Sequence, residues 1–323
     1  MENPKILIKC EEETNNDYGK EPEKRSIEEL LNLGVAVIDK PCGPSSHEVS
    51  AWVRELLQLK KTGHFGTLDP NVSGVLPVAL ENACKAAAFL MKNRKTYVGI
   101  IKFHRELSEQ HVRELFKQFS GEITQLPPRR SAVRKARRKR KVYYLAPTEF
   151  NGTEIVFEVL CEAGTYIRKL CFDIGRKAGC GANMLELRRT SVGVLPEFQT
   201  ATLQELSDAW WLLKERGDET KLRKIVLPLE AMIAYKKIWI RDSAVEAICS
   251  GAPLAVPGIA KVEENIARDE EIVLMTLKNE LVAFSKSSMN AQEIMNETRG
   301  IAANTLRVIM NKGVYPKLWK TKS

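Results

Sequence analysis

The stretch GHFGTLDPNVSGVLPVAL, residues 63–80, holds a single carboxylate, Asp69, on a corner built from glycine, leucine and proline. Pro70 biases Asp69 away from helical geometry, toward an extended or turn conformation. An apolar run follows directly. Asp-Pro also starts many ordinary turns, so the stretch alone leaves a solvated turn residue as the alternative. The neighbouring sequence has to explain why an acid stands here, five residues after His64.

The elements before this corner follow from hydrophobic periodicity. Residues 34–39, GVAVID, are typical of a buried strand. Ser45 and Glu48 have the spacing of a capping box, which favours a helix start. Apolar side chains then recur at i, i+3, i+4 and i+7, as an amphipathic helix requires: Val49, Trp52, Val53 and Leu56. A strand and a helix therefore lead into residues 63–80.

Further along the chain the same reasoning predicts two more strand–helix pairs. TYVGIIKF, residues 96–103, is typical of a strand that places Tyr97 on one face with Ile101 and Phe103. A helix is predicted next from the spacing of Val112, Leu115, Phe116 and Phe119. The segment EIVFEVLCEAGTYIRKLCFDIG, residues 154–175, predicts a strand, a turn and a helix. Tyr166 and Arg168 then stand at the start of that helix.

Length and composition bound the class of protein. A chain of 323 residues predicts about two domains. No apolar stretch approaches the ~20 residues that a membrane span needs, and the acidic start MENPKILIKCEEE predicts no export. Near residue 230 the composition shifts to short strand candidates such as IVLMTL and LVAFS, separated by turn residues. This predicts a small β-rich module after a boundary at about residue 232.

The cysteines argue against disulfides and metals. The seven cysteines are odd in number and widely scattered, with no C-x-x-C pair, and the chain has only four histidines. That pattern disfavours a disulfide framework and structural zinc. A single cysteine could still be a reactive thiol or a thiol packed in the core. We expect a reducing compartment, no metal site and no cofactor.

The net charge of +9 comes from one segment. Residues 129–141, RRSAVRKARRKRK, contain nine Lys or Arg and no acid, and the rest of the chain is balanced. Such a concentration is typical of a polyanion-binding site, and Tyr143 and Tyr144 just after it can stack on unpaired bases. A solvated loop or a localisation signal is the alternative. We expect a basic loop over residues 125–144 whose candidate phosphate contacts are Arg134, Lys135, Arg137, Arg138, Lys139 and Arg140.

Four blocks taken together carry a family resemblance. GHFGTLDP, KTYVGI, GTYIRKL and LELRRTSVG closely resemble, in order and spacing, the motifs of the dyskerin-type branch of the TruB family of pseudouridine synthases. The resemblance covers nearly the whole chain and includes RSAVRKARRKRKVYY. The C-terminal blocks IRDSAVEAICSGAPLAVPGIA and RGIAANTLRVIMNKGVYPKLW are similar to a PUA domain.

The resemblance implies an α+β fold. A catalytic domain of the pseudouridine-synthase type, with a mainly antiparallel central sheet, is expected over residues 21–232. A small β-barrel PUA domain is expected over residues 233–323, and an N-terminal extension, residues 1–20, is expected to pack beside it. In the PUA-like part the resemblance implies RNA binding at Ala252, Leu254 and Val256.

The resemblance also implies the chemistry. Uridine in RNA would be isomerised without a cofactor, with Asp69 as the essential carboxylate, Arg168 as its ionic partner and Tyr97 stacked on the uracil. His64 would lie near the space left by the flipped nucleotide, and Tyr166 and Leu187 would complete the pocket. Glycines at 63, 66 and 74 would let the RNA backbone come close. Two positions depart from the family pattern. Phe65 stands where a small residue is usual, and we expect it to affect the local fit of the RNA backbone. Asn183 stands where His is common.

Three functions are compared. The resemblance favours the catalytic subunit of an H/ACA guide ribonucleoprotein, with a guide RNA, a ribosomal or transfer RNA substrate and three small partner proteins, and no membrane. The absence of Lys-rich tails favours the compact archaeal form and a cytoplasmic location; a eukaryotic chain would be nucleolar. The first alternative is a stand-alone synthase for the uridine of the transfer-RNA TΨC loop. The second alternative is a non-catalytic RNA-binding scaffold.

Overall fold

The computed structural model describes residues 4–126 and 136–317, which form two compact units. The Asp69 unit contains Ala36–Ala79 and Leu90–Val226. The terminal unit contains the other three segments: Met1–Val35, Leu80–Phe89 and Leu227–Ser323. Each unit combines a sheet with helices, so the expected α+β class is confirmed. Among the described residues, no helix has the length and apolar character needed to cross a bilayer.

Strands and helices are numbered along the chain. The strands are β1 Ile6–Ile8, β2 Gly34–Lys40, β3 Thr62–His64, β4 Ser73–Leu80, β5 Lys95–Phe103, β6 Gly121–Gln125, β7 Arg138–Asn151, β8 Glu154–Cys161, β9 Ala182–Val192, β10 Leu195–Pro196, β11 Val226–Pro228, β12 Lys237–Ile240, β13 Leu254–Ala255, β14 Ile259–Glu263, β15 Glu271–Met275, β16 Leu281–Ser287 and β17 Ile301–Val308. The α-helices are α1 Ile27–Asn32, α2 Ser46–Leu56, α3 Ala87–Leu90, α4 Glu109–Gln118, α5 Ile167–Lys177, α6 Leu203–Arg216, α7 Thr220–Ile225, α8 Asp242–Cys249 and α9 Ala291–Asn296.

The sheet of the Asp69 unit places its strands in the order β2, β4, β9, β5, β8, β7, β6. Strand β5 pairs antiparallel with both β8 and β9, β7 pairs antiparallel with β6 and β8, and β4 runs parallel to β9. The prediction of a mainly antiparallel central sheet is therefore confirmed. Tyr97, Ile101 and Phe103 share the buried face of β5, as the sequence alternation predicted.

The helix predicted from the spacing of Ser45 and Glu48 forms with the expected cap. Ser45 caps α2, and it shares a reciprocal capping box with Glu48. Val49 and Val53 are fully buried, but Trp52 is 41% exposed, so the prediction that it faces the core is wrong. Successive residues of a helix are about 100° apart, so Trp52 lies at the margin of the apolar stripe whose centre is formed by Val49 and Val53. Its large ring extends past the core at that position.

Gly74 serves the fold rather than an RNA backbone. Its φ is +104°, and a Cβ on it would come within 2.2 Å of the Arg189 carbonyl oxygen. Gly74 lies opposite Arg189 where β4 runs parallel to β9. The expectation that this glycine makes room for RNA is wrong, because the space is filled by the chain's own strand.

The expected loop over residues 125–144 is shorter than the sequence suggested. Gln125 ends β6, Arg138 begins β7, and the two residues face each other in the antiparallel pair. Val142 and Leu145 on β7 are buried, so the strand is fixed to the core while its cationic start lies on the outer ribbon. Dense charge suggested a loop, but an edge ribbon keeps such side chains in water. Arg134 and Lys135 lie outside the described residues.

The terminal unit contains a second sheet in the order β1, β14, β12, β15, β16, β17, β13. Strand β1 pairs antiparallel with β14, which brings the start of the chain against this sheet. Strands β15 and β16 form where IVLMTL and LVAFS predicted them. A buried carboxylate, Glu280, accepts hydrogen bonds from the Tyr315 hydroxyl at 2.8 Å and the Thr276 hydroxyl at 3.1 Å.

Candidate active site

Asp69 lies in the loop between β3 and β4, and both of its neighbours are held by buried side chains. The Ser46 hydroxyl accepts from the Leu68 amide at 2.7 Å and donates to the Leu68 carbonyl at 3.0 Å. The Lys40 ammonium, fully buried, donates to the Pro70 carbonyl at 3.1 Å. The main chain is therefore fixed immediately before and immediately after the carboxylate.

Lys40 bonds the Asp69 loop and also the connection between β2 and α2. Its Nζ also donates to the carbonyls of Pro41 at 2.6 Å and Pro44 at 2.7 Å. Burial lowers the pKa of the Lys40 ammonium. Three carbonyl oxygens satisfy its three N–H donors, which is the condition under which a buried ammonium is tolerated.

The structure brings Arg168 and Asp69 together. Tyr166 is the N-cap of α5, so Arg168 stands in the first turn of that helix. An Nη2 donor of Arg168 bonds the Asp69 Oδ2 atom. The two side chains are 58% and 53% exposed. Exposed ion pairs contribute little to stability, so this pair is better explained by the orientation it gives to a carboxylate that a substrate can reach.

Tyr97 and Leu187 belong to the hydrophobic cluster that includes chain neighbours of this pair. Both side chains are buried, and both belong to one hydrophobic cluster with Leu68 and with Ile167 of α5. The cluster thus contains the residue preceding Asp69 and the residue preceding Arg168. Tyr97 shares a side-chain hydrogen bond with Arg189, and burial raises the pKa of its phenol, so the hydroxyl is protonated at neutral pH.

Arg189 is a site residue that the sequence did not single out. Its guanidinium is almost fully buried, and it donates from Nε to the Val75 carbonyl at 2.7 Å and from Nη2 to the Gly66 carbonyl at 3.1 Å. It therefore joins β9 to both ends of the Asp69 loop. The motif LELRRTSVG contained the residue, but a pair of adjacent arginines does not reveal which one is buried.

Lys95 is a second buried cation beside Arg189. Its Nζ donates to the carbonyls of Met91 at 2.7 Å and Asn93 at 2.6 Å. Burial and the charge of Arg189 lower the pKa of Lys95 to about 8. Like Lys40 and Arg189, it bonds main-chain oxygens.

His64 forms a ring pair with His47, a residue that sequence reasoning missed. The ring centroids are 4.8 Å apart at an interplanar angle of 67°. Both ring nitrogens of His64 are buried and have no hydrogen-bond partner within residues 4–126 and 136–317. Burial, together with the charges of His47 and Arg189, lowers the pKa of His64 to about 4. The ring is therefore neutral at pH 7.

The two departures from the family pattern have different surroundings. Phe65 is fully buried, so its ring fills the core and does not face the side on which RNA would approach. Asn183 Nδ2 lies 3.2 Å from His104 Nε2 on the surface. Tyr166, partly buried, is next to Ile167 at the start of α5.

Some of the described basic residues are free to contact solvent, and others form ion pairs with acidic side chains. Arg137 is exposed, Lys139 pairs with Glu122 at 2.8 Å, and Arg140 lies 3.6 Å from the Glu162 carboxylate. The guanidinium of Arg94 covers the Tyr143 ring at 4.0 Å, so this face is not open for stacking. The neighbouring Tyr144 ring is exposed.

The three PUA-like positions, Ala252, Leu254 and Val256, have buried or partly buried side chains. The side chains of Leu254 and Val256 are buried in the core of the terminal unit, so they can contact RNA only through main-chain atoms. The Val256 amide already donates to the Gly300 carbonyl at 3.0 Å. Ala252 is partly buried, and its carbonyl accepts from the Thr305 hydroxyl at 2.7 Å. Apolar residues at these positions pack the sheet because strand alternation directs them inward.

In the part of the chain that the structure describes, no group of three or more His, Cys, Asp or Glu side chains is arranged to hold a metal ion. Burial raises the pKa of the Cys161 thiol to about 11 and that of the Cys171 thiol to about 12. Both thiols are protonated at neutral pH, as expected for cysteines that pack as small hydrophobic residues.

Four family models together match most of the chain between residues 1 and 309. The N-terminal domain of the TruB family pseudouridylate synthases matches residues 54–167, and the tRNA pseudouridylate synthase B C-terminal domain matches residues 168–234. A PUA domain matches residues 236–309, and a DKCLD (NUC011) domain matches residues 1–50.

Relatives and solved structures agree with these matches. A probable tRNA pseudouridine synthase B of Methanosarcina barkeri is 49% identical, over 96% of this chain and 92% of the relative. Its counterpart in Archaeoglobus fulgidus is 48% identical over 98% of each chain. A structure of an H/ACA RNP bound to a substrate RNA containing 2′-deoxyuridine has a TM-score of 0.92 at 46% identity, over 98% of each chain. A Cbf5–Nop10–Gar1 complex has a TM-score of 0.93 at 48% identity, over 98% of this chain and 97% of the other.

The buried His64 ring predicts a loss of stability in acid. Its pKa is 6.5 in an unfolded chain and about 4 when folded, so between these values the unfolded state binds the proton and the folded state does not. The free energy of unfolding should therefore fall as pH decreases from 6.5 to about 4. In His64→Gln this fall should be smaller, whereas His111→Gln, an exposed change on α4, should leave it unchanged. Urea unfolding across this pH range measures it; equal pH slopes for wild type and His64→Gln would contradict the assignment.

Proposed function

Since this chain belongs to the TruB family of pseudouridine synthases, we propose that it isomerises uridine as the catalytic subunit of an H/ACA guide ribonucleoprotein, with Asp69 as its essential carboxylate. The enzyme class follows from the family: the chain is an RNA pseudouridine synthase. The observation that supports the site most strongly is the Asp69–Arg168 ion pair on a loop whose main chain is fixed on both sides.

The reaction needs no external group. The bond from ribose C1′ to uracil N1 breaks, the base turns, and a bond from C1′ to C5 forms; C5 loses a proton and N1 gains one. Asp69 can attack C1′ as a nucleophile, or it can remove the proton from C2′ to give a glycal. Both routes begin with the ionised carboxylate. Arg168 orients the carboxylate through the contact between its Nη2 and the Asp69 Oδ2.

A stacked uridine hides the reacting atoms, so the target nucleotide must leave the helix. Flipping costs a few kcal/mol, which contacts at the protein have to offset. Tyr97 offers an aromatic surface for the uracil, and Leu187 and Tyr166 limit access of water. His64, neutral and with both ring nitrogens unpaired among the described residues, suits the space that the flipped nucleotide leaves.

RNA is held by two regions in this proposal. The cationic start of β7 tracks phosphates near the carboxylate, and the β-rich module over residues 233–323, a PUA domain, holds the guide RNA. We place the catalytic domain at residues 21–232, preceded by the extension over residues 1–20. The partners follow from the solved relatives, one described as an H/ACA RNP bound to a substrate RNA and another as a Cbf5–Nop10–Gar1 complex. The site of action is the cytoplasm.

A stand-alone transfer-RNA synthase is the second candidate, because curated relatives at 45–49% identity are named probable tRNA pseudouridine synthase B. Purified full-length chain separates the two when it is assayed on unmodified transfer RNA and on a guide-matched ribosomal RNA fragment. Each RNA is tested with and without the guide RNA and partner proteins. Guide-dependent product in the ribosomal fragment supports the first proposal. Full activity on transfer RNA alone, with no guide-dependent product, supports the second.

The carboxylate assignment predicts loss of chemistry without loss of binding. Asp69→Asn keeps the shape but cannot act as nucleophile or base, so the single-turnover rate should fall at least about 10⁴-fold. RNA affinity should stay within about tenfold, because binding depends on phosphate contacts elsewhere. Asp208→Asn, an exposed change on α6, is the control and should retain the wild-type rate. Substantial turnover by Asp69→Asn would remove the assignment; a scaffold function would leave wild type and variant equally inactive.

The cationic start of β7 predicts a change in salt dependence. A triple variant with Arg137, Arg138 and Lys139 changed to Gln should flatten the slope of log affinity against log salt by about 2–3, because each lost phosphate contact removes about 0.7–0.9. The matched control changes three exposed cations of the α6–α7 region to Gln: Lys214, Arg216 and Lys221. Filter binding over a salt series measures both. Equal slopes in the triple variant and wild type would show that this strand does not contact phosphate.

A further inference from the structure

The side chain of Gln125 bonds the main chain of the residue that starts the Arg168 helix. Gln125 is the last residue of β6 and is almost fully buried. Its Nε2 donates to the Tyr166 carbonyl at 3.1 Å, and its Oε1 accepts from the Tyr166 amide at 3.0 Å. One side-chain amide thus satisfies both polar groups of a single backbone residue, as a neighbouring strand would.

This contact acts where the position of Arg168 is determined. Tyr166 is the N-cap of α5, and no side chain caps the helix there. A rotation about the backbone of residue 166 would re-aim the first turn of α5, and with it the guanidinium that bonds Asp69. The two hydrogen bonds from Gln125 oppose that rotation because the donor and the acceptor must both stay in place.

The turn before α5 is held by the other strand of the same ribbon. The Glu162 amide donates to the Lys141 carbonyl at 2.8 Å, and the Lys141 amide donates to the Glu162 carboxylate at 3.0 Å. Arg140 packs beside Gly164, whose φ is +79°; a Cβ there would lie 3.2 Å from the Arg140 guanidinium. Residues 162–166 are therefore attached to β6 through Gln125 and to β7 through its cationic start.

We propose that Gln125 is a positioning residue that couples the cationic β6–β7 ribbon to the Asp69–Arg168 pair. Phosphate contacts made by Arg138 and Lys139 restrain the ribbon, because β7 pairs with β6 residue for residue up to the Gln125–Arg138 pair. The restrained ribbon then holds Tyr166, and Arg168 keeps its aim at the carboxylate. The effect on turnover rests on the proposed function; the contact with Tyr166 does not.

The variants are chosen to separate positioning from packing. Gln125→Met keeps the volume and removes both hydrogen bonds. Gln125→Glu keeps the acceptor for the Tyr166 amide but sets a carboxylate oxygen against the Tyr166 carbonyl. Protonation of that Glu at lower pH restores a donor. Gln110→Met, at an exposed position of α4, is the matched control.

Two measurements on the full-length chain test the proposal. Hydrogen exchange at the Tyr166 amide should speed up at least about tenfold in Gln125→Met and stay near wild type in Gln125→Glu. The single-turnover rate on the RNA that wild type modifies should fall about 10- to 100-fold in both variants, the size expected for a misplaced catalytic group. RNA affinity should change by less than about threefold. The deficit of Gln125→Glu relative to wild type should shrink as pH falls from 8 to about 5.5, the range over which a buried Glu can take up its proton.

Each outcome decides the matter. Single-turnover rates for Gln125→Met and Gln125→Glu within about twofold of wild type would overturn the positioning role. A rate deficit of Gln125→Glu that stays the same at every pH would also overturn it. Protonation of the Glu restores the hydrogen-bond donor, so an unchanged deficit would mean that the missing donor is not the cause of the lower rate. If wild type makes no pseudouridine, the proposed function fails. The exchange experiment then judges Gln125 alone, and unchanged exchange at Tyr166 rejects the contact.

Discussion

Two buried side chains fix the main chain on either side of Asp69, and the rest of the site depends on them. Ser46 exchanges two hydrogen bonds with Leu68, and Lys40 bonds the Pro70 carbonyl. A carboxylate on a freely moving loop would lose orientation each time the loop moved, and small displacements of a reacting group are costly in rate. The residues on either side of Asp69 are anchored to α2 and to the end of β2. The Asp69 carboxylate can therefore keep a fixed position although its side chain is more than half exposed.

The charges around this loop are arranged in two layers. Lys40, Lys95 and Arg189 are buried and bond main-chain carbonyls, whereas Arg168, at the surface, bonds the carboxylate itself. Buried cations are expensive, and hydrogen bonds to several carbonyl oxygens are what offsets that expense. Burial, with the charges of His47 and Arg189, lowers the pKa of the nearby His64 ring to about 4.

Local periodicity predicted several strands and helices of the Asp69 unit, because those patterns depend on near neighbours. It predicted β5, β8 and α5 closely, and the capping box of α2 from Ser45 and Glu48. The juxtaposition of Asp69 with Arg168 came from the family resemblance, since no pattern joins residues 99 positions apart. The sequence analysis missed three residues for a physical reason: Lys40, Arg189 and Gln125. Each bonds main-chain atoms that only the fold brings near, and every residue type has the same main-chain atoms, so no sequence pattern reveals such a bond. Charge density predicted a loop at residues 138–144, but these residues belong to β7, which forms a ribbon with the edge strand β6.

The central claim is that an anchored carboxylate, paired with a guanidinium, acts on a uridine that has left its stack. The most direct measurement is a crystal structure of the full-length chain with a guide-paired RNA that carries 5-fluorouridine at the target position. The claim predicts a flipped nucleotide with its ring against Tyr97 and ribose C1′ or C2′ within about 3.5 Å of an Asp69 oxygen. The backbone of residues 68–70 should be unchanged. A target base still stacked in the RNA, or bound away from Asp69 with Arg168 turned elsewhere, would contradict it.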